Sequence, residues 1–595
     1  IHCGSTDADV KYFLWVKTQR CTSCGEEIRL YPGYLVAENR RHPLNVVLCP
    51  ECSSLNEVPD RRDPGSCRAC GRPLTITGPA ARNQCQCPHC GQPNRYPSPS
   101  SGVPQHAMFA IEYYCAACRG EHKGRFFKAP DADDFIKYRL AQERLVSVEK
   151  RFIPDEEIPT GDETTRLLRW GYRRYSDLFN SRQLLSLAAI CHLTSLEEEE
   201  RTRYALATNL SDLLRYQNML CRYDTMALKS LDIFSVHGFP VGLVQCESNV
   251  LGVRDPESRK VVGSGGWLNI MEKYAKAKEY CVDPFETHHD GKRKRRIRIR
   301  GEWIGDRRSD DGHTLTKHVS LACADAARHR IAPGTVDAVL TDPPYYGNVQ
   351  YAELMDFCYV WLRRLVGSDV PEFRAPTTRT MDELTVNGNL GRDLAHFTSG
   401  LSATFKNAAD ALKRGSPFAF TYHHNDLKAY LPVAVALLDA SLACTASLPC
   451  PAEMGASIHI SKTRSSVVDT VFVCRTTGRV RRSLLIDSVT GLLDLVRRDA
   501  DDLRLGGLEP SLGDLRCLAF GHLIRLAVWA LRTEWASSPD PLHRTQTVLD
   551  WIEAFVHPDQ LERELETLSR GSYTQPLLLH EQSSPYTEEE DEVSF

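Results

Sequence analysis

Residues 336–345 read VDAVLTDPPY, an apolar run followed at once by a turn with two consecutive prolines. The run 336–340 predicts a buried β-strand, because it is short, apolar and bounded by turn residues. The prolines remove two backbone donors and stiffen the turn. In open α/β sheets, ligands bind beyond the carboxyl ends of the strands. The segment that begins at Asp342 therefore lies where a site is expected.

Strand and helix patterns alternate on both sides of this segment. The alternation predicts an α/β domain with a doubly wound parallel sheet covered by helices. The predicted strands are residues 319–323, 336–340, 417–422 and 470–474. The predicted helices run over residues 354–365, 401–412 and 426–438, and Gly415 stands where a helix C-cap is expected.

The chemistry of residues 342–345 suits transfer to an exocyclic amine of a nucleobase. Such an amine is a weak nucleophile, because its lone pair is delocalised into the ring. The Asp342 carboxylate and the Pro343 carbonyl can accept hydrogen bonds from the amine and position it, which is catalysis by orientation and electrostatics. Tyr345 can stack on a base that is flipped out of a duplex. The alternative is a rigid turn with an exposed tyrosine.

Cysteines are concentrated in the first part of the chain. There are 22, and ten of them form five Cys-x-x-Cys pairs before residue 120. In a long chain such pairs predict zinc knuckles rather than disulfides. We expect structural zinc, since four thiolates leave no open coordination position. The predicted ligands are Cys21, Cys24, Cys49, Cys52, Cys67, Cys70, Cys87, Cys90, Cys115 and Cys118.

The pairing of these knuckles is less determined than their existence. Sequential pairing predicts one site from Cys21, Cys24, Cys49 and Cys52 and a second from Cys67, Cys70, Cys87 and Cys90. A nested pairing of first with last is the alternative. The remaining pair can form a third site by recruiting one of four nearby residues, which are His122, His106, Cys85 and Cys3. We therefore expect two or three zinc ions.

The motif at 342–345 resembles the catalytic motif of AdoMet-dependent methyltransferases that act on adenine N6 or cytosine N4. The longer stretch 345–361, the cysteine-rich front and the segment FTYHH at 420–424 are similar to the zinc-ribbon-containing adenine-specific DNA methylases. Some of these belong to phage-defence loci of the DISARM type. The resemblance implies a Rossmann-like methyltransferase sheet with an N-terminal zinc-ribbon module and helical flanking regions. Its catalytic residues would be Asp342, Pro343, Pro344 and Tyr345.

The resemblance also implies an activity and its partners. The implied reaction is methylation of adenine N6 in double-stranded DNA with S-adenosyl-L-methionine, within a restriction-modification or phage-defence system. Other defence proteins are implied as partners. One rival is a DNA cytosine N4 methyltransferase with the same machinery. A second is a non-catalytic, zinc-dependent subunit that binds DNA or protein.

Methyltransferases of this kind hold AdoMet with a glycine-rich loop of the type Phe-x-Gly-x-Gly, for which the chain has no good match. Since the first residue is Ile1, we expect this loop to lie upstream of it. A weaker candidate is the loop 263–266, which reads GSGG and has Asp283 at the distance of a ribose ligand, by analogy with dinucleotide folds. Asp325 either contacts the adenine of AdoMet or caps the helix that begins at Ala326.

DNA contact is predicted from the basic run 292–300, which reads KRKRRIRIR. Its alternation would place Arg296, Arg298 and Arg300 on one face of a strand, as a ribbon that contacts phosphates. The alternative is a solvated charged face. The net charge of −4 neither supports nor excludes DNA as a ligand.

Length and pattern together predict four parts. These are a zinc-binding module at 1–130, a helical region at 131–230, a methyltransferase catalytic domain at 231–480, and a helical C-terminal region at 481–595 that ends in an acidic tail. Residues 231–315 are a candidate target-recognition segment. No apolar run is long enough to cross a membrane and no secretory segment is present, which predicts a cytoplasmic protein.

Overall fold

The computed structural model describes residues 2–3, 6–98, 102–236, 238–290, 293–309, 311–452, 466–536, 538–570 and 592–595. Of the predicted acidic tail at 587–592, only Glu592 lies among them. The chain divides into two compact units: unit 1 is Ile1–Ala322 with Tyr351–Arg379, and unit 2 is Cys323–Gln350 with Thr380–Phe595. The predicted catalytic segment 231–480 is thereby divided, because 231–322 and 351–379 group with the cysteine-rich part. Among the described helices, none has both the length and the apolar character needed to cross a membrane.

Unit 1 contains short strands and six α-helices among its described residues. Its strands are β1 His2–Cys3, β2 Thr6–Asp7, β3 Asp9–Arg20, β4 Glu27–Arg29, β5 Leu35–Ala37, β6 Asn45–Leu48, β7 Leu55–Val58, β8 Ala80–Ala81, β9 Gln84–Gln86, β10 Pro93–Arg95, β11 Gln105–Tyr114, β12 Arg125–Lys128, β13 Arg222–Asp224, β14 Lys229–Leu231, β15 Val244–Ser248, β16 Val253–Arg254, β17 Val261–Val262, β18 Phe285–Asp290, β19 Arg293–Arg298, β20 Gly305–Arg308 and β21 Thr314–Lys317. Its helices are α1 Ala132–Leu145, α2 Thr164–Arg169, α3 Ser181–Ser195, α4 Glu200–Leu214, α5 Trp267–Val282 and α6 Tyr351–Val366.

The centre of unit 1 is an antiparallel sheet in the order β12-β11-β3-β15, with β4 also paired to β3. The alternation of side chains along β3 buries both of its faces. Tyr12, Leu14 and Val16 enter one apolar cluster, whereas Trp15 packs with Met108 in another. The connection between β3 and β11 carries the four cysteine pairs from 21 to 90, so the knuckles are insertions into a hairpin of this sheet.

Helices α1 to α4 lie in the segment predicted to be helical. Helix α2 begins beneath a carboxylate from a distant part of the sequence. Glu353 of α6 is buried, and it accepts hydrogen bonds from the backbone N–H groups of Asp162 (3.0 Å), Glu163 (2.9 Å) and Thr164 (3.1 Å). A carboxylate at a helix N-terminus accepts from N–H donors that have no partner within the helix, and its negative charge is attracted to the positive end of the helix dipole.

Unit 2 is a mixed α/β unit. Its strands are β22 Val339–Thr341, β23 Phe418–Tyr422, β24 Ala443–Pro451, β25 Val468–Arg475, β26 Arg479–Arg481 and β27 Glu592–Ser594. Its helices are α7 Leu394–Ala411, α8 Leu431–Asp439, α9 Val489–Leu505, α10 Leu512–Leu531, α11 Pro541–Phe555 and α12 Pro558–Arg570. Helices α9 to α12 agree with the predicted helical C-terminal region.

The main sheet of unit 2 has the order β22-β23-β25-β24. Strands β22 and β23 are parallel, while β25 runs antiparallel to both β23 and β24. Three strands therefore point one way and β25 points the other. Helix α8 is almost wholly buried, and it packs with α7, α10 and α11 into one apolar core with the sheet.

Four expectations about this region were wrong. Residues 319–323 form no strand and are exposed, with Leu321 91% exposed, because an apolar run becomes a strand only where a neighbouring strand pairs with it. The sheet is mixed rather than parallel, since β25 is antiparallel. Gly415 does not cap α7, which ends at Ala411 with an extended C-cap at Leu412. The strand predicted at 336–340 is present but shifted, as β22 with one further bridge at Val336, and it is not buried as predicted, since Leu340 is 78% exposed.

Candidate functional site

Two sets of four cysteine thiols are assembled in unit 1, and their pairing is nested. One tetrad is Cys21, Cys24, Cys87 and Cys90, and the other is Cys49, Cys52, Cys67 and Cys70. In the first tetrad the Sγ atoms of Cys21 and Cys90, and those of Cys24 and Cys87, lie 3.6 Å apart. In the second the Cys49–Cys70 and Cys52–Cys67 separations are 3.7 and 3.6 Å. The predicted sequential pairing is therefore wrong, because the hairpin of β6 and β7 brings the second knuckle to the third.

These separations match a tetrahedral zinc site. A Zn–S bond of about 2.3 Å places thiolates at neighbouring corners of a tetrahedron about 3.8 Å apart. Both tetrads are compatible with structural zinc, since four sulfur ligands complete the coordination.

Each knuckle turns through a residue in the left-handed conformation. The backbone N–H groups of Gly25, Gly71 and Gly91 donate to the carbonyls of the first cysteine of their pairs, with φ between 71° and 75°. Ser53 takes the same place in the knuckle of Cys49, with φ of 58°. Three of the four turns therefore use the residue that adopts this conformation without steric cost.

The polar surroundings lower the pKa of Cys21 in one tetrad and of Cys52 and Cys67 in the other, which favours thiolate at these positions. Hydrogen bonds from the Ser54 hydroxyl and from backbone N–H groups lower the pKa of Cys67 to about 5. Backbone N–H groups, led by that of Cys24, lower the pKa of Cys21 to about 6. Thiolate is the form that binds zinc, so these hydrogen bonds favour the binding of a cation at both tetrads.

A buried asparagine supports each tetrad in the same way, and the sequence analysis missed both. The Asn94 side chain donates to Cys21 Sγ (3.5 Å) and accepts from the backbone N–H of Thr22 (2.8 Å). Asn56 donates to Cys67 Sγ (3.6 Å) and accepts from the N–H of Arg68 (2.9 Å). The signal was the repeated spacing Cys-x-x-Cys-x-x-x-Asn at 49–56 and 87–94.

The fifth pair belongs to neither tetrad within the described residues. Three of the partners suggested for Cys115 and Cys118 have other contacts: His106 Nε2 lies 3.0 Å from Lys17 Nζ, His122 contacts Glu57, and Cys85 donates to the Gln86 carbonyl. The side chain of the fourth, Cys3, lies outside the described residues.

The motif at 342–345 follows β22 directly, as predicted. Asp342 is exposed, and its Oδ1 accepts hydrogen bonds from the Tyr345 hydroxyl (2.8 Å) and from the Thr421 hydroxyl of β23. Both parallel strands thus end beside one carboxylate, at the edge of the sheet where α/β proteins place ligands. Thr421 was quoted in the FTYHH segment but not recognised as a partner of Asp342.

Aromatic rings surround this carboxylate. The Tyr345 ring lies 5.4 Å from that of Tyr422 and 6.4 Å from His423, while the Tyr346 ring lies 5.9 Å from that of His424. Burial raises the pKa of Tyr345, so its hydroxyl stays protonated and donates. Tyr346 has φ of 46°, a left-handed conformation that costs a non-glycine residue about 1–2 kcal/mol and that recurs at functional sites.

The pKa values of the two histidines after β23 are shifted in opposite directions. Burial disfavours protonation of His423, but contacts with Cys517, the Val468 carbonyl and Asp469 outweigh it and raise its pKa to about 9. Burial lowers the pKa of His424, whose Nδ1 accepts from the backbone N–H of Asp426 (3.0 Å).

The residues suggested for AdoMet are occupied by other contacts. A Cβ on Gly265 or Gly266 would meet the chain itself, at Ser248 or Gly252 within 2.7 Å, so the loop is packed rather than open. Asp283 forms an ion pair with Arg298. Asp325 Oδ1 accepts from the N–H of Ala327 (2.9 Å) within a turn, and no helix begins at Ala326 for it to cap. These residues do not form a cradle for the cofactor.

The predicted basic strand is present as β19, paired with β18 in an antiparallel hairpin. Arg296 and Arg298 share one face and are exposed, but Arg296 lies over the Phe285 ring (4.3 Å) and Arg298 pairs with Asp283. Arg300 is exposed and lies beyond the end of the strand. The three arginines are therefore not equivalent positions of one ribbon.

Comparisons of the chain with models of protein families, with curated proteins and with solved structures found no match.

Proposed function

We propose that the chain is an AdoMet-dependent methyltransferase that modifies the exocyclic N6 amine of adenine in DNA. The observation that carries the proposal is the exposed Asp342 carboxylate at the carboxyl ends of the parallel strands β22 and β23, directly before Pro343. A stiff acceptor at this edge suits an amine that must be oriented before it reacts.

The Asp342 carboxylate and the Pro343 carbonyl would be the two acceptors for the target amine. Asp342 Oδ1 is held by the hydroxyls of Tyr345 and Thr421, which fixes the plane of the carboxylate. Within the described residues Oδ2 has no hydrogen-bond partner and can accept from the target amine. The Pro343 carbonyl is the second acceptor. Two acceptors on one nitrogen favour the geometry of attack without a strong base.

The aromatic rings beside Asp342 suit a flat base. A nucleotide flipped from the duplex loses stacking, and an aromatic pocket restores part of that energy. Tyr345 and His423 present such surfaces at the same edge. The exposed Arg296 and Arg298 of β19 and the exposed Arg300 beyond its end would contact phosphates. Of these three, only Arg298 forms an ion pair within the described part of the chain, with Asp283.

AdoMet would supply the methyl group, but the loop 263–266, Asp283 and Asp325 are engaged in other contacts and do not form a cradle for it. This misfit favours a second candidate, a zinc-dependent subunit that binds DNA or a defence partner without catalysis. The tetrads suit either role, because structural zinc can shape a binding surface as well as support an enzyme.

Methyl transfer from labelled AdoMet to mixed-sequence double-stranded DNA separates these functions. We expect transfer by the parent chain, loss in Asp342→Ala, and retention in the matched control Asp337→Ala, whose carboxylate is exposed five residues earlier. Digestion and mass spectrometry then distinguish N6-methyladenine from N4-methylcytosine. Retained DNA binding with no transfer by the parent would favour the binding subunit. Equal transfer by the parent and Asp342→Ala would refute the proposed site.

A further inference from the structure

A third cluster of metal-ligand side chains lies in unit 1, apart from both cysteine tetrads. It consists of His42, Glu57 and His122, with one ligand atom from each within 4.8 Å of the others. His42 lies in the connection between β5 and β6, and Glu57 lies in β7. His122 opens a 3₁₀ turn between β11 and β12. Three segments distant in sequence therefore bring two imidazoles and one carboxylate together.

His42 presents a buried nitrogen toward this cluster. The residue is 2% exposed, and its Nδ1 lies 2.7 Å from the Leu44 carbonyl. A carbonyl only accepts, so Nδ1 carries the proton and Nε2 keeps its lone pair. Within the described residues Nε2 has no hydrogen-bond partner, and the Glu57 carboxylate lies 3.6 Å away. Metal-binding histidines commonly donate their other ring nitrogen to a carbonyl in this way.

The distances fit a small divalent ion. His122 Nε2 lies 2.9 and 3.1 Å from the two Glu57 oxygens, and His42 Nε2 lies 3.6 Å from one of them. Bonds of about 2.0–2.1 Å to zinc place neighbouring ligand atoms of a tetrahedron about 3.3–3.4 Å apart. The observed separations lie on both sides of that value, so small side-chain movements would close the site around an ion.

The backbone that carries His122 is strained. His122 and Lys123 have φ of 48° and 53°, two consecutive non-glycine residues in the left-handed region. Such conformations cost energy and recur where a side chain must be held for a function. Here they place the imidazole beside Glu57 and against the ring of Phe126, whose centroid lies 5.1 Å away.

Strand β7 separates this cluster from the second tetrad. Successive side chains of a strand point to opposite faces. Asn56 donates to Cys67 Sγ, whereas its neighbour Glu57 contacts His122. The histidine cluster is therefore not an extension of the cysteine site. The nearest basic neighbours in sequence, Arg41 and Lys123, are exposed, so solvent screens their charge from an ion.

We propose that His42, Glu57 and His122 bind a divalent transition-metal ion such as Zn²⁺. Two imidazole nitrogens and one carboxylate supply three ligands, and the fourth position is left for water or another ligand. This site differs from the tetrads in having nitrogen and oxygen ligands and an exchangeable position.

The first measurement is zinc content per chain, by mass spectrometry of the metal, after loading the full chain with Zn²⁺ and removing excess. We expect His122→Gln and Glu57→Gln each to bind one ion fewer than the parent. The control His313→Gln alters an exposed histidine of the same unit and should bind as many ions as the parent. Equal zinc content in the parent and both variants would overturn the proposal.

Cobalt substitution tests whether the tetrads survive in these variants. Thiolate ligands give charge-transfer bands in the near ultraviolet, and nitrogen and oxygen ligands do not. We expect His122→Gln to lose only the part of the visible ligand-field absorption that comes from the nitrogen and oxygen site, while the ligand-field and charge-transfer bands of the two tetrads keep their intensity. Loss of charge-transfer intensity together with the missing ion would assign that ion to a tetrad and would also overturn the proposal.

Discussion

Nested pairing of the cysteine knuckles predicts which ligand changes act on the same ion. Cys21 and Cys87 share one tetrad, whereas Cys67 belongs to the other. Structural zinc sites carry apparent binding free energies of about 10–16 kcal/mol, and loss of one thiolate leaves an ion that a strong chelator can remove. After challenge with EDTA, Cys21→Ser should lack one zinc ion. The double variant Cys21→Ser with Cys87→Ser should also lack one, and Cys21→Ser with Cys67→Ser should lack two.

The count is measured as zinc per chain relative to the parent, so it is independent of the total number of sites. Cys85→Ser is the matched control: it is a buried cysteine two residues from Cys87 whose Sγ donates to a backbone carbonyl and which lies outside both tetrads. Its zinc content should equal that of the parent. Loss of two ions from Cys21→Ser with Cys87→Ser would refute the nested pairing.

Three further predictions concern the carboxylate at the start of α2, the histidine beside the Asp342 turn, and one cysteine knuckle. Glu353→Ala leaves the three N–H donors of residues 162–164, of which that of Thr164 is buried, without their charged acceptor, which costs about 3 kcal/mol. Hydrogen exchange of the peptide 160–166 should accelerate about 100-fold, and Glu353→Gln should accelerate it less. The pKa of His423 is raised from 6.5 to about 9, so the stabilisation that protonated His423 provides is full below pH 6.5 and is lost as pH rises through 9. His423→Gln should therefore lower the melting temperature at pH 6 and change it little at pH 10. Equal changes in melting temperature at the two pH values would contradict this. Ser53→Gly relieves a left-handed backbone and should stabilise its knuckle by about 1 kcal/mol, seen as slower zinc loss to a chelator than in the parent.

The cysteine knuckles could be predicted from the sequence because their geometry is local. Two thiols separated by two residues face the same way in a tight turn, and Gly25, Gly71 and Gly91 mark that turn. Which knuckles share an ion is a matter of tertiary structure. The hairpin of β6 and β7 brings Cys49 to Cys70 across a distance that spacing alone does not encode.

Apolar periodicity located helices α7 and α8 of unit 2 and the strand at 418–422, but it does not specify the direction of a strand. The same alternating pattern serves a parallel and an antiparallel neighbour, so β25 gave no sign that it runs against β23. Strand β24 was missed because it contains two prolines and few β-branched residues. The strand predicted at 319–323 does not form, although the segment is apolar, because it has no paired strand among the described residues.

The Asp342 turn illustrates why a short motif carries only part of a site. The four residues 342–345 specify a stiff acceptor, but the orientation of the carboxylate depends on Thr421, which lies in the adjacent strand 79 residues later. A hydroxyl on β23 and a hydroxyl in the turn hold the same oxygen, Oδ1. The orientation is therefore a property of the paired strands β22 and β23 rather than of the turn alone. Thr421→Val, which keeps the shape and removes the donor, should then impair methyl transfer while leaving the motif itself intact.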